Sequence, residues 1–384
     1  MTVGRTQLSE LFTIHKGHKP GDVFGELVPG ARRLLQINDL RGQGPLRYTS
    51  DKSGLSVTTE DIVVAWDGAN AGTVGFGLEG TAGSTLAVLR PVSDAVFAPY
   101  AGRYLQSKFA SLSRATDGAA VPHLNRRLLE SMVIPLPSLA EQRRIAAVLD
   151  KADAVRRKRR ESLGLLDEFL RSAFRELFGD LVRNDKKWQV LLLENVAQVQ
   201  GGLQVSARAR QEGRVVPYLR VANVYRDQLD LAEIKTLRAS EDEISRTALQ
   251  VGDVLVVEGH GNREEIGRSA VWSGSIDPCV HQNHIIRVRC EKARVEPVYL
   301  SAYLNSAAGR RQMIGFGKTT SGLNTISTGN VKKVKVAIPP LELQRRYTDH
   351  TAHVCALAGR IRKAEMDAEA LFDSLAQRAF RGEM

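Results

Sequence analysis

The feature that constrains this chain most is a short phrase that occurs twice. Residues 133–144 read VIPLPSLAEQRR, and residues 336–346 read VAIPPLELQRR. Each copy consists of an apolar run, two prolines and a segment that ends in Gln-Arg-Arg. Because a proline cannot continue a helix backwards into the residues before it, each copy predicts a boundary between a strand-rich domain and a helix.

The repetition extends far beyond the prolines. Further segments recur in the same order, which predicts the duplication of a unit of roughly 190 residues. The matching pairs are LLQINDL (34–40) with YLRVANV (218–224), TTEDIVVAWDGANAG (58–72) with QVGDVLVVEGHGNRE (250–264), TLAVLRP (85–91) with HIIRVRC (284–290), YLQS (104–107) with YLNS (303–306), and HLN (123–125) with GLNT (322–325).

The first part of each copy has the pattern of an α+β domain. DIVVAW and DVLVVE are rich in β-branched residues and bounded by Gly or Asp, which is typical of strands. Gly-rich segments between such runs indicate loops, and short helices are expected near 97–112 and 296–314. We therefore predict globular domains with twisted mixed sheets at residues 1–135 and 183–337.

The second part of each copy predicts a long helix, at residues 136–182 and 338–384. Residues 138–178 contain no proline and one internal glycine, Gly164, and Ser138 with Glu141 forms a capping-box pattern. A spacing of three and four residues marks one stripe on each helix, and these stripes predict an antiparallel coiled coil. The seam positions are Ile145, Val148, Ala152, Val155, Arg159, Leu166, Phe169, Val354, Ile361, Glu365, Phe372 and Leu375.

Polar residues interrupt both stripes at corresponding positions. Arg159 and Glu365 either pair and fix the register or extend to solvent. The segment RRKRR (156–160) lies on the first helix and leaves three roles open: contact with DNA phosphate, docking of another subunit, or a solvated face.

The charge composition indicates which kind of molecule the protein binds. The 384 residues include 54 Lys and Arg against 43 Asp and Glu, a formal net charge of +11, which favours a polyanion such as nucleic acid. No apolar run is long enough for a membrane span, and the N-terminus lacks the pattern of a signal peptide. Since the chain has only three cysteines, a disulfide framework is not expected, and we predict a cytoplasmic location.

A globular half, IPLPSLAEQRRI, a long helix and a second copy of this plan together resemble the specificity subunit of Type I restriction-modification enzymes. DGANAG (67–72), HQNHIIRVR (281–289), KTTSGLN (318–324) and the ending LAQRAFRGEM are also typical of that family. The resemblance covers essentially the whole chain. One departure is Leu343, where the family usually has Glu, and it affects the start of a helix.

The resemblance implies a DNA-recognition subunit without catalytic chemistry of its own. Each globular domain would be a target recognition domain that reads one half of a bipartite double-stranded DNA target. The coiled coil would set the spacer between the two half-sites and dock two modification subunits. Those subunits would carry S-adenosylmethionine for adenine methylation, and a separate restriction subunit would cleave. No catalytic, cofactor or metal residues are therefore expected in this chain.

Candidate DNA contacts are polar and basic residues on predicted loops, because such side chains hydrogen-bond to base edges and phosphates. In the first domain they are Lys16, Lys19, Gln36, Asn38, Asp67, Asn70, His123 and Asn125. In the second domain they are Arg208, Arg210, Asn223, Arg226, His260, Asn262, Arg263, Gln282, Asn283, Lys318, Thr319 and Asn324.

Motifs for other chemistry are incomplete. GFGKTTSG (315–322) resembles a P-loop, but Gln312 stands where the first glycine is required, so Lys318 and Thr319 are better assigned to DNA phosphate. CVHQNHIIRVRC (279–290) matches no common zinc spacing, and we expect His281 on a loop that faces bases.

Two other functions compete with DNA recognition. A complete restriction or methylation enzyme would need catalytic motifs, and the amino-methyltransferase tetrapeptide does not occur in the sequence. A scaffold that binds only protein through its coiled coil would not need the basic surplus.

Overall fold

A computed structural model describes residues 4–42, 44–114, 116–117, 122–204, 213–320 and 322–383. The chain divides into two compact units. The first unit consists of Met1–Glu161 and Ile361–Met384, and the second consists of Ser162–Arg360. Each unit therefore contains one globular half together with part of both long helices.

The first unit contains short strands and helices before its long helix. Its strands are β1 (Gly4–Gln7), β2 (Phe12–Lys16), β3 (Arg32–Leu35), β4 (Tyr48–Thr49), β5 (Ser56–Val57), β6 (Ile62–Ala65), β7 (Val74–Phe76), β8 (Gly80–Ala82), β9 (Leu86–Pro91), β10 (Thr116–Asp117), β11 (His123–Leu124) and β12 (Val133–Leu136). Its helices are α1 (Leu8–Leu11), α2 (Ile37–Leu40), α3 (Ala98–Ser107), α4 (Phe109–Arg114), α5 (Arg126–Ser131) and α6 (Leu139–Phe178), the last of which continues into the second unit.

The second unit repeats most of this order, with a helix in the place of β5 and one added strand after the central strand. Its strands are β13 (Gln189–Leu192), β14 (Ala197–Gly201), β15 (Arg214–Leu219), β16 (Lys235–Ala239), β17 (Val254–Val257), β18 (Gly259–His260), β19 (Ser269–Val271), β20 (Val280–His281), β21 (Ile285–Cys290), β22 (Lys318–Thr320), β23 (Leu323–Thr325) and β24 (Lys335–Ile338). Its helices are α7 (Glu241–Thr247), α8 (Pro297–Asn305), α9 (Ala307–Phe316), α10 (Thr328–Lys332) and α11 (Leu341–Arg381), and α11 ends in the first unit. Short 3-10 turns span Leu193–Asn195, Val221–Asn223 and Arg263–Glu265.

The two units share the main features of their sheet topology. A four-stranded antiparallel sheet has the order β2-β9-β6-β7 in the first unit and β14-β21-β17-β19 in the second. A parallel pair, β3 with β8 and β15 with β20, also recurs. Corresponding strands pair in corresponding order, which confirms the predicted α+β fold with mixed sheets and the internal duplication.

The central strands β6 and β17 are buried at every position because both faces of their sheet are covered. Successive side chains of a strand point to opposite faces. Ile62 and Val64 join a core that includes α3 and the start of α6, whereas Val63 and Ala65 pack on the other face. The β-branched run in the sequence therefore forms a strand that lies between two apolar layers.

The long helices pair in antiparallel fashion within the first unit. Arg156 on α6 lies 2.9 Å from Glu369 on α11, and its guanidinium lies 3.9 Å from the ring centroid of Phe372. Arg160 pairs with Glu365 at 3.0 Å. Because residues late in α11 meet residues in the first two thirds of α6, the two helices run in opposite directions, as predicted.

The second unit shows the complementary pairing. The rings of Phe174 and Phe178, near the end of α6, meet Tyr347 near the start of α11 at centroid distances of 5.2 and 5.7 Å. Such edge-to-face contacts add to the burial of these rings. Apolar packing therefore dominates the helix pair here, whereas ion pairs accompany it in the first unit.

Details of the predicted seam differ from the structure. Ile145 and Val354 are buried, but Val155 is 44% exposed and Phe169 is 51% exposed. The partner of Glu365 is Arg160, not Arg159. The apolar stripe was predicted for two helices that contact only each other. The start of α6 also packs on its globular half, where Ala146 and Leu149 are buried, so the predicted stripe does not describe all of its contacts.

Two arginines of the RRKRR segment have a role additional to the three predicted alternatives, which stay predictions for the segment. Arg156 and Arg160 form ion pairs with α11, and Arg156 also pairs with Asp153 at 2.7 Å. Arg157 is exposed and lies 3.6 Å from Asp153. At least two of the five basic residues thus hold the helix pair together within the first unit.

Candidate nucleic-acid interface

A charged cluster lies at the termini of three strands of the first unit. Lys16 is the last residue of β2, Asp67 follows β6, and His123 begins β11, which bridges to Asp67. Lys16 Nζ lies 3.0 Å from Asp67 Oδ2, and His123 Nδ1 lies 2.5 Å from Asp67 Oδ1. Burial opposes ionisation of Asp67, but the hydrogen bonds from His123 and Lys16 hold its pKa below its usual value. The carboxylate thereby orients two half-exposed donors.

Asn70 lies in the loop that follows Asp67. Its Oδ1 accepts a hydrogen bond of 2.6 Å from Arg41, an exposed residue that the sequence analysis did not select. We call Lys16, Arg41, Asp67, Asn70 and His123 the first loop surface. It presents cationic, amide and imidazole groups, which are the groups that bind bases and phosphates.

The other candidates of the first unit lie apart from this network or have structural roles. Asn125 caps α5, because its Oδ1 accepts a hydrogen bond from Leu128 N at 3.0 Å. Gln36 precedes α2, and its backbone N donates to Asp39 at 2.7 Å. The side chains of Lys19, Gln36 and Asn38 are exposed.

The second unit has an equivalent surface built on a three-stranded sheet. The sheet order is β18-β23-β22, and its register aligns His260 with Asn324 and Asn324 with Thr319. The neighbouring pairing of Gly259 with Thr325 corresponds to the bridge between Asp67 and His123 in the first unit. We call His260, Asn262, Arg263, Lys318 and Thr319 the second loop surface.

Three arginines support the loop that carries this surface. Arg226 donates to Glu264 O at 2.6 Å, and Arg268 pairs with Glu265 at 3.0 Å. Arg310, which is 8% exposed, donates to the carbonyls of Glu264 and Ile266. The sequence analysis selected Arg226 as a DNA contact. It did not identify Arg310, because nothing in the sequence of α9 indicates that Arg310 reaches this loop. These arginines therefore hold the loop through its backbone carbonyls and Glu265, while Asn262 and Arg263 remain exposed.

Asn324 and Asn223 need correction as DNA contacts. Asn324 is 8% exposed, and its amide accepts from Thr319 and donates to the carbonyls of Gly261 and His260. Asn223 is 3% exposed and bonds to the backbone of Arg220, Asp230 and Glu233. Both side-chain amides make hydrogen bonds within the domain, so they stabilise loops and do not face a ligand.

His281 is also not on a base-facing loop. It belongs to β20, is 0% exposed, and its Nδ1 lies 3.0 Å from Thr247 O. Burial lowers the pKa of its imidazole to about 4, so the ring is neutral near pH 7. Gln282 and Asn283 follow at half-buried positions, and their backbone N–H groups donate to Leu219 O and Leu203 O. Arg208 and Arg210 lie outside the described residues.

Neither loop surface has the arrangement of a nucleotide or metal site. Lys318–Thr320 form the outer strand of a hairpin, whereas a P-loop joins a strand to a helix. Among the described residues, no group of three His, Cys, Asp or Glu side chains is placed to hold a metal ion. Within the same ranges, no helix combines the length and the apolar character that crossing a bilayer requires.

The chain matches one protein family along most of its length. The family model for the Type I restriction modification DNA specificity domain matches residues 3–163 and again residues 185–349. The two matches fall on the two copies of the duplicated plan. They cover both loop surfaces and the start of each long helix.

Curated relatives and solved structures agree with this match. The EcoKI specificity subunit of Escherichia coli K12 is 27% identical, over 87% of this chain and 76% of that protein. The StySPI specificity subunit of Salmonella potsdam is 25% identical, with the same coverage of each chain. The S subunit of a Type I restriction-modification system from M. genitalium superposes with a TM-score of 0.59 at 14% identity, covering 98% of this chain and 96% of that one. A chain from a study of assembly and conformational transition in the type I R-M system gives 0.56 at 19% identity, covering 99% and 98%.

Proposed function

We infer what this chain does from the family to which it belongs, that of the Type I restriction-modification DNA specificity subunits. Its function is to supply DNA-target specificity within a restriction-modification complex. The proposals that follow concern how its residues do this and which partners they meet.

The observation that carries the mechanism is the equivalence of the two loop surfaces. Both lie at the same place in the duplicated topology, beside the equivalent pairings of Asp67 with His123 and of Gly259 with Thr325. Their side chains differ, and sequence is read by hydrogen bonds from such side chains to base edges. Each unit therefore reads one half of a bipartite double-stranded DNA target, and the two half-sites differ in sequence.

Basic residues of each surface contact phosphate and place the polar residues over the bases. In the first unit Lys16 and Arg41 take this part, and in the second Arg263 and Lys318 do. The helices α6 and α11, of 40 and 41 residues, are each continuous from one unit into the other. They set the number of base pairs between the half-sites.

Partner subunits dock on the long helices. Large apolar side chains of these helices are exposed in both units: Val155, Met366 and Leu371 in the first, and Leu165, Phe169 and Leu357 in the second. Leu165 and Phe169 lie one turn apart on α6, and exposed apolar side chains that lie together are typical of protein interfaces. Their presence in both units favours two modification subunits. A restriction subunit would bind the resulting complex.

The chain itself carries no catalytic step in this mechanism. The modification subunits bring S-adenosylmethionine and methylate adenine, and the present chain places them on the correct sequence. Binding to chromosomal DNA places the complex in the cytoplasm. A scaffold that binds only protein is the alternative, and the basic residues exposed on both loop surfaces speak against it.

The test is to purify the chain from its host, identify the subunits that co-purify, and map methylated adenines in host DNA. We expect a methyltransferase subunit and a split motif with two unlike halves. Lys318→Ala should relax or weaken one half of the motif only. Lys292→Ala removes an exposed lysine of the same unit and serves as the control.

The alternatives make different predictions for the same preparation. Co-purifying protein without any methylated split motif would support the protein-only scaffold. Methylation by the isolated chain would instead indicate a complete enzyme.

A further inference from the structure

The glutamines of the repeated phrase are buried. Gln142 and Gln344 are each 0% exposed, although glutamine is mostly found at the surface. A buried amide is tolerated when its hydrogen bonds are made inside the protein. The partners of these amides show what the phrase does.

Both glutamines bind the same set of backbone groups. Gln142 Oε1 accepts from Phe97 N at 2.8 Å, and its Nε2 donates to Ala95 O and Pro137 O, both at 2.9 Å. In the second unit, Gln344 Oε1 accepts from Glu296 N at 2.9 Å. Its Nε2 donates to Arg294 O at 3.1 Å and to Pro339 O at 2.8 Å.

These bonds join the first turn of a long helix to its own globular half. Phe97 and Glu296 are the N-cap residues of α3 and α8, the helices that pack on the central sheets. Pro137 and Pro339 lie in the segments that lead into α6 and α11. Each glutamine thus connects three points: a sheet-covering helix, the proline segment and the long helix.

Tyrosine hydroxyls fasten the strand before each proline segment. Tyr100 and Tyr104 on α3 donate to Pro135 O and Val133 O, both at 2.8 Å. Tyr299 and Tyr303 on α8 donate to Ala337 O at 2.7 Å and to Lys335 O at 2.8 Å. We call each glutamine with its two tyrosines a glutamine joint.

We propose that the two glutamine joints are positioning elements that fix the direction in which each long helix leaves its globular half. A consequence is that the complex accepts only a narrow range of spacer lengths between its half-sites. This inference rests on the proposed function. An apolar side chain would also fill the space, but it would allow the helix to leave in more than one direction. An amide with three backbone partners favours the one direction in which all three hydrogen bonds form.

The test is a binding selection from a pool of duplexes with random sequence, using the chain in complex with its co-purifying subunits. Sequencing the bound pool gives the two half-sites and the distribution of spacer lengths together. The variants are Gln142→Met and Gln344→Met, which keep chain length and apolar volume but remove the amide. Glu141→Ala is the matched control, because Glu141 lies one residue away and its carboxylate pairs with the surface residue Arg144. The bond from its backbone N–H to Ser138 Oγ does not depend on the side chain.

We expect both Met variants to select the wild-type half-sites with broader spacing. Duplexes whose spacer differs by one base pair should rise about fivefold in share, the equivalent of one lost hydrogen bond. Glu141→Ala should leave the distribution unchanged. If a Met variant does not fold, Tyr104→Phe and Tyr303→Phe remove one hydroxyl each from the same joints and should broaden the spacing in the same sense.

The outcomes separate the two levels of inference. An unchanged spacer distribution in folded variants, even with a lower Tm, would overturn the positioning role and leave the proposed function intact. A wild-type pool without any split motif would overturn the proposed function itself.

Discussion

The two loop surfaces occupy the same place in a duplicated fold, yet they are stabilised differently. In the first unit, Asp67 holds Lys16 and His123 through exposed or half-exposed contacts. In the second unit, buried residues provide this support: Asn324 donates to Gly261 O, directly after β18, and Arg310 donates to Glu264 O in the loop. Backbone topology is therefore repeated while the support of each surface is not.

The difference shows which parts of a duplicated domain are free to diverge. Pairs that close the sheet recur: Arg90 with Asp61 in the first unit matches Arg289 with Asp253 in the second. The residues of the two loop surfaces do not recur. Under the proposed function, divergence at these positions would let one fold read two unlike half-sites.

The largest effect is expected from removing the buried support of the second surface. Arg310→Ala leaves the carbonyls of Glu264 and Ile266 without their donor, and should lower the free energy of unfolding by about 4 kcal/mol. Arg41→Ala, which removes an exposed partner of Asn70 in the first unit, should cost less than about 1 kcal/mol. Chemical denaturation of both variants measures the contrast. Equal losses would mean that the two loops are supported alike.

Acid should destabilise the second unit through a residue that the first unit lacks. Leu219 pairs with His281 in the register where Leu35 pairs with Ala82. Burial, together with the nearby charge of Arg287, keeps the pKa of folded His281 at about 4, below the value of 6.5 for an ordinary histidine. The unfolded chain therefore binds a proton first, and stability falls as the pH drops from about 6.5 to about 4.

The His281→Asn variant tests this difference, since Asn retains a donor for Thr247 O and does not titrate. It should flatten the pH dependence of unfolding over that window by about 3 kcal/mol at most. The exposed His353→Gln variant is the control and should keep the wild-type slope. A wild-type slope in His281→Asn would assign the acid sensitivity to another group.

The smallest effect concerns the charge balance of the first surface. Asp67→Asn removes the anion that pairs with Lys16 and His123, so binding of DNA should become more dependent on salt. The slope of log affinity against log salt should steepen by about one. Glu60→Gln makes the same change of charge before β6, at the other end of the strand from Asp67, and should alter the slope less. Equal slopes in the two variants would show that Asp67 acts only through net charge.

The sequence predicted the elements better than it predicted their side chains. The duplicated plan, the strands β6 and β17 and the antiparallel helices follow from local patterns of apolar residues and prolines. Asn223, Asn324 and His281 have the residue types expected at a loop that binds DNA, but each is buried. Their partners come from other segments: Asn324 binds Gly261, which lies 63 residues earlier. A residue type does not reveal whether such a partner is present.

By itself the sequence determined the duplication, the α+β class, the long helices and the family, because repeated order and 3-4 spacing are properties of the chain alone. Tertiary structure decided which polar residues face outward and which fasten the interior. Gln142 illustrates the limit, since its role depends on a carbonyl 47 residues earlier in the chain. Hydrogen bonds between distant segments exist only after the chain has packed, and they assign the repeated Gln-Arg-Arg phrase to the joint between each globular half and its helix.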